Sequence, residues 1–279
     1  MALLMLNGVL RDSAEATVPA TDRGLTHGLG LYETLKLVGG VPVFFDEHAA
    51  RLEQGMATLG LEPPFDRLEL ATQVCRLSEA AAVPDGACRI LVTLGPPEGR
   101  PTVLIQVEVR PFPSRPLRVV TYRGVRVSAQ LKAMTVMQSY LAQRRAAAAG
   151  ADDALLVDDL GRIFEGATSN AFVVRSGGLI TPPAEGDILP GVMRATVERL
   201  AVANGIPVIE AWVRVVELRP DDGLLLTSSV RGIVAVERVD GRALTVPDGV
   251  LARVRALVAD EEAASRERFR AAYPAALAP

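Results

Sequence analysis

Pro111, Pro113 and Pro116 fall within six residues, and no other feature constrains this chain's architecture as strongly. Proline fixes φ and has no amide to give to a ladder, so a continuous sheet or helix cannot run through such a segment. In a chain of 279 residues, long enough to bury more than one core, the cluster predicts a break between two domains. The expected division is a small α+β domain over 1–115, a linker over 116–124, and a larger domain over 125–279.

The pattern on either side is mixed α/β. Residues 3–10 read as a short strand turning at Asn7-Gly8. After a loop punctuated by Gly24, Gly28 and Gly30, Leu31–Val38 alternates like a strand and turns back at Gly39-Gly40. Asp46 predicts an N-cap, and Ala49, Leu52, Met56 and Leu59 recur at helical spacing. A second helix is expected over 66–82 and strands over 88–94 and 102–109. Beyond the prolines, strands are expected at 117–122, 154–157, 171–174, 206–209, 223–227 and 233–236. Helices are expected over 134–149, 192–204 and 247–271, and no internal repeat is visible.

Composition narrows the chemistry. The net charge of −3 and the lack of a basic tail argue against nucleic acid. No apolar run approaches a membrane span and no cleavable leader is apparent, so no membrane partner is expected; with only two cysteines, a reducing cytoplasm is expected. Cys75 and Cys88 have no metal or disulfide spacing, and His27 and His48 are the only histidines, which argues against a His-rich metal site.

Lys132 stands among small and apolar residues, from Val125 to Met134. Desolvation there would favour the neutral amine that attacks an aldehyde. Glu165 follows Ile163-Phe164 where a strand gives way to a turn, and a buried carboxylate needs a partner. An amine for an aldehyde and a carboxylate for a protonated pyridine nitrogen are what pyridoxal phosphate requires of a protein. Three further segments suit a phosphate: Arg51 with its planar fork, the helix start after Leu189-Pro190-Gly191, and the hydroxyls of Thr227-Ser228-Ser229. Taken singly, each is equally compatible with a solvated charge or a plain turn.

Together with Asp22-Arg23-Gly24-Leu25, Gly30-Leu31-Tyr32-Glu33-Thr34, His48-Ala49-Ala50-Arg51-Leu52, Gly150–Leu156, Glu165–Asn170 and Thr227–Ile233, these segments carry a resemblance over nearly the whole chain. It resembles the class IV aminotransferases, the pyridoxal-phosphate enzymes of fold type IV. The resemblance implies a two-domain homodimer with the cofactor in the interdomain cleft. It implies that Lys132 bonds to the cofactor aldehyde, Glu165 pairs with the pyridine nitrogen and Arg51 binds the phosphate. Val192, Met193, Thr227 and Ser228 would complete the phosphate cup.

Within the family the motifs divide. Thr34 resembles the catalytic threonine of 4-amino-4-deoxychorismate lyase, whereas Tyr32 and Lys36 fit the transaminase pattern and are expected to contact the substrate. Leu94-Gly95 stands where Arg-Gly is usual, and Arg100-Pro101-Thr102 replaces the Arg-x-His that holds a D-amino acid's carboxylate. Leu29 and Thr135 are further departures. Arg100, or Arg23 reaching across a dimer interface, is therefore expected to hold the substrate carboxylate. The resemblance favours transfer from D-amino acids or (R)-primary amines to 2-oxo acids, with the lyase, releasing 4-aminobenzoate and pyruvate, as the alternative.

Overall fold

The computed structural model describes residues 2–111, 115–184 and 187–278. Pro113 and its neighbours, the middle of the expected break, lie outside the described residues. The chain divides into two compact units: one of Met1–Pro111, Leu131–Thr135 and Glu261–Pro279, the other of Phe112–Gln130 and Val136–Asp260. Neither unit is contiguous in sequence. Lys132, expected in the second domain, belongs to the first unit.

The first unit is built on β1 (Leu3–Leu6), β2 (Val9–Asp12), α1 (Arg23–His27), β3 (Gly30–Val38), β4 (Val41–Pro42), α2 (Phe45–Thr58), α3 (Arg67–Ala80), β5 (Gly86–Thr93) and β6 (Val103–Glu108). Its six strands pair in the order β2-β1-β6-β5-β3-β4. Alternation along β3 places Leu31, Glu33, Leu35 and Leu37 on the buried face and leaves Tyr32, Thr34 and Lys36 half-buried on the other. The buried face packs against Leu52 and Met56 of α2 and Leu70, Val74 and Leu77 of α3. Asp66 caps α3 through the Glu69 amide at 2.7 Å.

Asp46 is not a cap. The helix starts one residue earlier, behind Phe44 in a left-handed conformation, and Asp46 lies in the first turn. Aromatic packing decides the start, because Phe45 must face Phe269 and Tyr273 at centroid distances of 5.3 and 5.2 Å. The Asp46 carboxylate instead accepts from the Tyr273 hydroxyl at 2.5 Å.

The second unit comprises β7 (Leu117–Arg123), α4 (Met137–Ala148), β8 (Asp153–Val157), β9 (Ile163–Gly166), β10 (Ser169–Arg175), β11 (Gly178–Thr181), α5 (Val192–Ala203), β12 (Val208–Glu210), β13 (Gly223–Ser228), β14 (Gly232–Val239) and β15 (Arg242–Ala243). A long helix, α6 (Asp248–Ala272), begins here and ends in the first unit. The expected linker 116–124 is mostly β7, a strand hydrogen-bonded between β14 and β8. Since β9 pairs with both β8 and β10, the ladder β10-β13-β14-β7-β8-β9 returns to its starting strand. Leu155, Val173, Leu224, Leu226 and Val234 pack in its core.

Candidate active site

Lys132 is positioned by main-chain pairing. The Tyr32 amide donates to the Lys132 carbonyl and the Met134 amide to the Gly30 carbonyl, both at 2.9 Å, so the segment lies antiparallel along the start of β3. This pairing explains why α4 starts at Met137 and not at 134. Gly30 is required there, because a Cβ would sit 2.6 Å from Met134 Sδ and from the Val92 carbonyl oxygen. Lys132 Nζ then lies 4.6 Å from the centroid of the Tyr32 ring.

On the opposite face of β3, Glu33 is 1% exposed and gathers two basic residues of α2. Arg51 donates through Nε and Nη2 at 2.7 and 2.6 Å, and His48 Nδ1 lies 2.7 Å away. Burial alone would raise the Glu33 carboxyl, but the Arg51 charge and the hydrogen bonds from Arg51 and His48 overcome it and bring it down to about 2. Burial holds the His48 imidazole below its usual value against the pull of Glu33. Facing an ionised carboxylate that can only accept, the neutral ring carries its proton on Nδ1. Its Nε2 is buried without a hydrogen-bond partner among the described residues. Glu33 and His48 were not singled out from sequence as site residues, although both stand in the motifs quoted above.

The residues expected to read the substrate are placed differently. Lys36 is bound to Glu262 at 2.6 Å. Arg23 donates to the Leu94 and Gly95 carbonyls at 2.6 and 3.0 Å, clipping α1 to the turn after β5. Asp22 completes this clip, accepting from the Gly24 amide and from the Thr93 and Thr102 hydroxyls at 2.6–2.9 Å. Arg100 is exposed in the loop between β5 and β6. Thr34 shares the Tyr32 face, and directly opposite it on β5 stands Arg89, an arginine the sequence reading did not select.

In the second unit, Glu165 is 1% exposed, and both its oxygens accept from Arg126, at 2.6 and 2.7 Å. Arginine, not a ligand, thus neutralises this carboxylate in the protein. Each carboxylate oxygen has more than one lone pair, so acceptor capacity remains. Arg126 was missed; its only signal was a charge between Val125 and Val127.

Asn170 organises the surroundings of Glu165. It lies opposite Glu165 on β9 and opposite Thr227 on β13. Its side-chain amide donates to the Leu189 carbonyl at 2.9 Å, holding the turn that leads into α5. At Gly191 a Cβ would come within 2.0 Å of Asn170 Oδ1, so only glycine lets that turn approach. Gly191 is the N-cap of α5 and no side chain caps the helix, which leaves the first amides, those of Val192 and Met193 among them, without an intrahelical partner. Thr227 Oγ1 is buried with no hydrogen-bond partner among the described residues, and Ser228 ends the same strand, half-buried. Uncapped helix amides and an orphaned buried hydroxyl suit a phosphate group. Arg231, just after this strand, donates to Asp153 of β8 at 2.9 Å and so serves the scaffold.

Known proteins resemble this chain in sequence and fold. The family model described as "Amino-transferase class IV" matches residues 30–239. A Methanocaldococcus jannaschii protein named for branched-chain-amino-acid aminotransferase activity is 31% identical over 86% of this chain and 89% of its own. D-alanine aminotransferase of Bacillus licheniformis is 28% identical over the same shares. Among solved structures, the fold IV-transaminase CpuTA1 of Curtobacterium pusillum superposes with a TM-score of 0.81 at 28% identity, covering 94% of this chain and 99% of its own. A Mycobacterium tuberculosis aminotransferase in its pyridoxal-phosphate-bound form gives 0.83 at 25% identity, over 95% and 100%. A family model that matches most of the chain and a relative of 31% identity place the chain in the class IV aminotransferases, the fold type IV pyridoxal-phosphate enzymes.

Proposed function

We propose that the protein is a pyridoxal-5′-phosphate-dependent transaminase that moves the amino group of D-amino acids, and of (R)-primary amines, to 2-oxo acids. The observation that carries this reading is Lys132, fixed by backbone pairing to β3 with its amine over the Tyr32 ring. When bound, the cofactor supplies an aldehyde to condense with amines and a ring that accepts the electrons left at the donor's α-carbon. Lys132 would hold the cofactor, and its released amine would take the proton from the donor's Cα. Glu165, oriented by Arg126, would keep a proton on the ring nitrogen. Arg51, held in one orientation by Glu33, and the Val192 and Met193 amides with Thr227 and Ser228 would meet the phosphate. Tyr32 and Thr34 would wall the reacting amine. The D-alanine aminotransferases among the relatives support the D-configured donor. The same resemblance leads us to expect a cytoplasmic homodimer.

Thr34 favours a second reading, the 4-amino-4-deoxychorismate lyase, because its hydroxyl stands on the Tyr32 face. The test is a single-turnover half-reaction read by the visible absorbance of the bound cofactor. D-alanine is expected to convert that band, with L-alanine and L-leucine slower. Faster conversion by L-leucine would assign the branched-chain activity of the archaeal relative's name instead. Release of 4-aminobenzoate and pyruvate from aminodeoxychorismate, without conversion by D-alanine, would establish the lyase.

A further inference from the structure

We infer that Arg89 receives the α-carboxylate of the amino donor and of the 2-oxo acid acceptor. The identity of the anion rests on the transaminase reading above; the anion site itself rests on geometry. Arg89 lies in β5 directly opposite Thr34, so both side chains leave the same face of the sheet as Tyr32. The centre of its guanidinium is 4.6 Å from the centroid of the Tyr32 ring, and Lys132 Nζ is also 4.6 Å from that centroid. One aromatic ring therefore gathers the amine and the guanidinium, which can be no farther apart than twice that distance.

Three other cations that the motifs point to are held elsewhere, and Arg100 is exposed in a loop. Arg51 is held by Glu33, Lys36 by Glu262, and Arg23 by two backbone carbonyls. Arg89 differs: its Nε is buried without a hydrogen-bond partner, and among the described residues no carboxylate pairs with it. A buried guanidinium N–H without an acceptor is costly, and a carboxylate is the group whose two oxygens match its fork. Its contact with the Tyr32 ring restricts the guanidinium in advance, so less side-chain freedom is lost on binding. The Thr34 hydroxyl, on the facing strand, can donate to the same anion.

The test compares Arg89→Gln and Arg89→Lys with the wild type, each loaded with cofactor. Both variants are expected to keep the visible absorbance of the bound cofactor, which reports folding and loading. In the half-reaction with D-alanine, Arg89→Gln is expected to lose at least about a hundredfold in kcat/KM, mostly in the concentration dependence. Arg89→Lys, which keeps the charge without the fork, should fall between. (R)-1-Phenylethylamine, which has no carboxylate, should react within about threefold of wild type in both. Independently of turnover, calorimetric titration with propionate should show binding to wild type and at least about tenfold weaker binding to Arg89→Gln. Equal losses for D-alanine and the amine, or unchanged propionate affinity, would overturn the assignment. If the wild type binds propionate through Arg89 but leaves D-alanine unreacted, the reaction class falls and the anion site stands.

Discussion

Replacing Glu33 with glutamine keeps the side chain's size and removes its charge where the first unit depends on it most. The carboxylate is 1% exposed and receives three short bonds, two from Arg51 and one from His48, at 2.6–2.7 Å. Removing one partner of a buried charge pair leaves the other uncompensated and costs about 3–5 kcal/mol. Glutamine can still accept one of these bonds, so the lower end, about 3 kcal/mol, is expected. For a chain of this size each kcal/mol shifts Tm by about 2–4 °C, which predicts a fall of roughly 6–12 °C in the cofactor-free protein. Arg51 would also lose its fixed orientation, weakening pyridoxal phosphate by about tenfold, or about 1.4 kcal/mol. Circular-dichroism melts and absorbance titration with the cofactor measure both. A second substitution, Arg51→Met in the Glu33→Gln background, should recover part of the lost stability because no lone charge remains. A melt within about 2 °C of wild type together with unchanged cofactor affinity would falsify the view that Glu33 fixes Arg51.

Acid should act through the same cluster. The folded Glu33 carboxyl near 2 lies below its ordinary 4.5, so its contribution is complete above about 4.5 and is lost as pH falls through 2. His48, buried and depressed, adds a loss that begins higher, as pH falls below its ordinary 6.5. In urea melts from pH 7 to 3, Glu33→Gln should show a shallower decline below pH 4.5 than wild type. Thr227→Val removes a buried hydroxyl that has no partner in the protein, so the cofactor-free form should be unchanged or more stable by up to about 1 kcal/mol. The same change should weaken cofactor binding by about 5–30-fold; a destabilised cofactor-free form with unaltered binding would count against the phosphate role. Lys132→Ala should lose the visible absorbance of the loaded enzyme and nearly all turnover, and retention of both would remove the assignment.

Much of the site was legible along the chain because its chemistry depends on residue type. Lys132, Glu165 and the Leu189-Pro190-Gly191 turn were singled out from their neighbours, and the structure supplies what those neighbours are for. Tyr32 and Lys132 are a hundred residues apart, yet Lys132 is set by two main-chain bonds to β3, and a backbone bond carries no side-chain signature. Lys36 and Arg23 illustrate the converse. The family pattern suggested a substrate contact for Lys36 and the missing carboxylate clamp suggested one for Arg23, but Glu262 and two carbonyls, all distant in sequence, hold them.

The sequence by itself determined the alternation along β3, the helical faces of α2 and α3, and the family's motifs, since periodicity and turn chemistry act over a few residues. Tertiary structure alone decided that 131–135 joins the first unit, that β7 is a sheet strand and not a linker, and that Arg126 faces Glu165. It also left the Nε of Arg89, beside Tyr32, without a hydrogen-bond acceptor among the described residues. Charge pairing and strand order are settled by which segments meet in space, and no local pattern encodes that meeting.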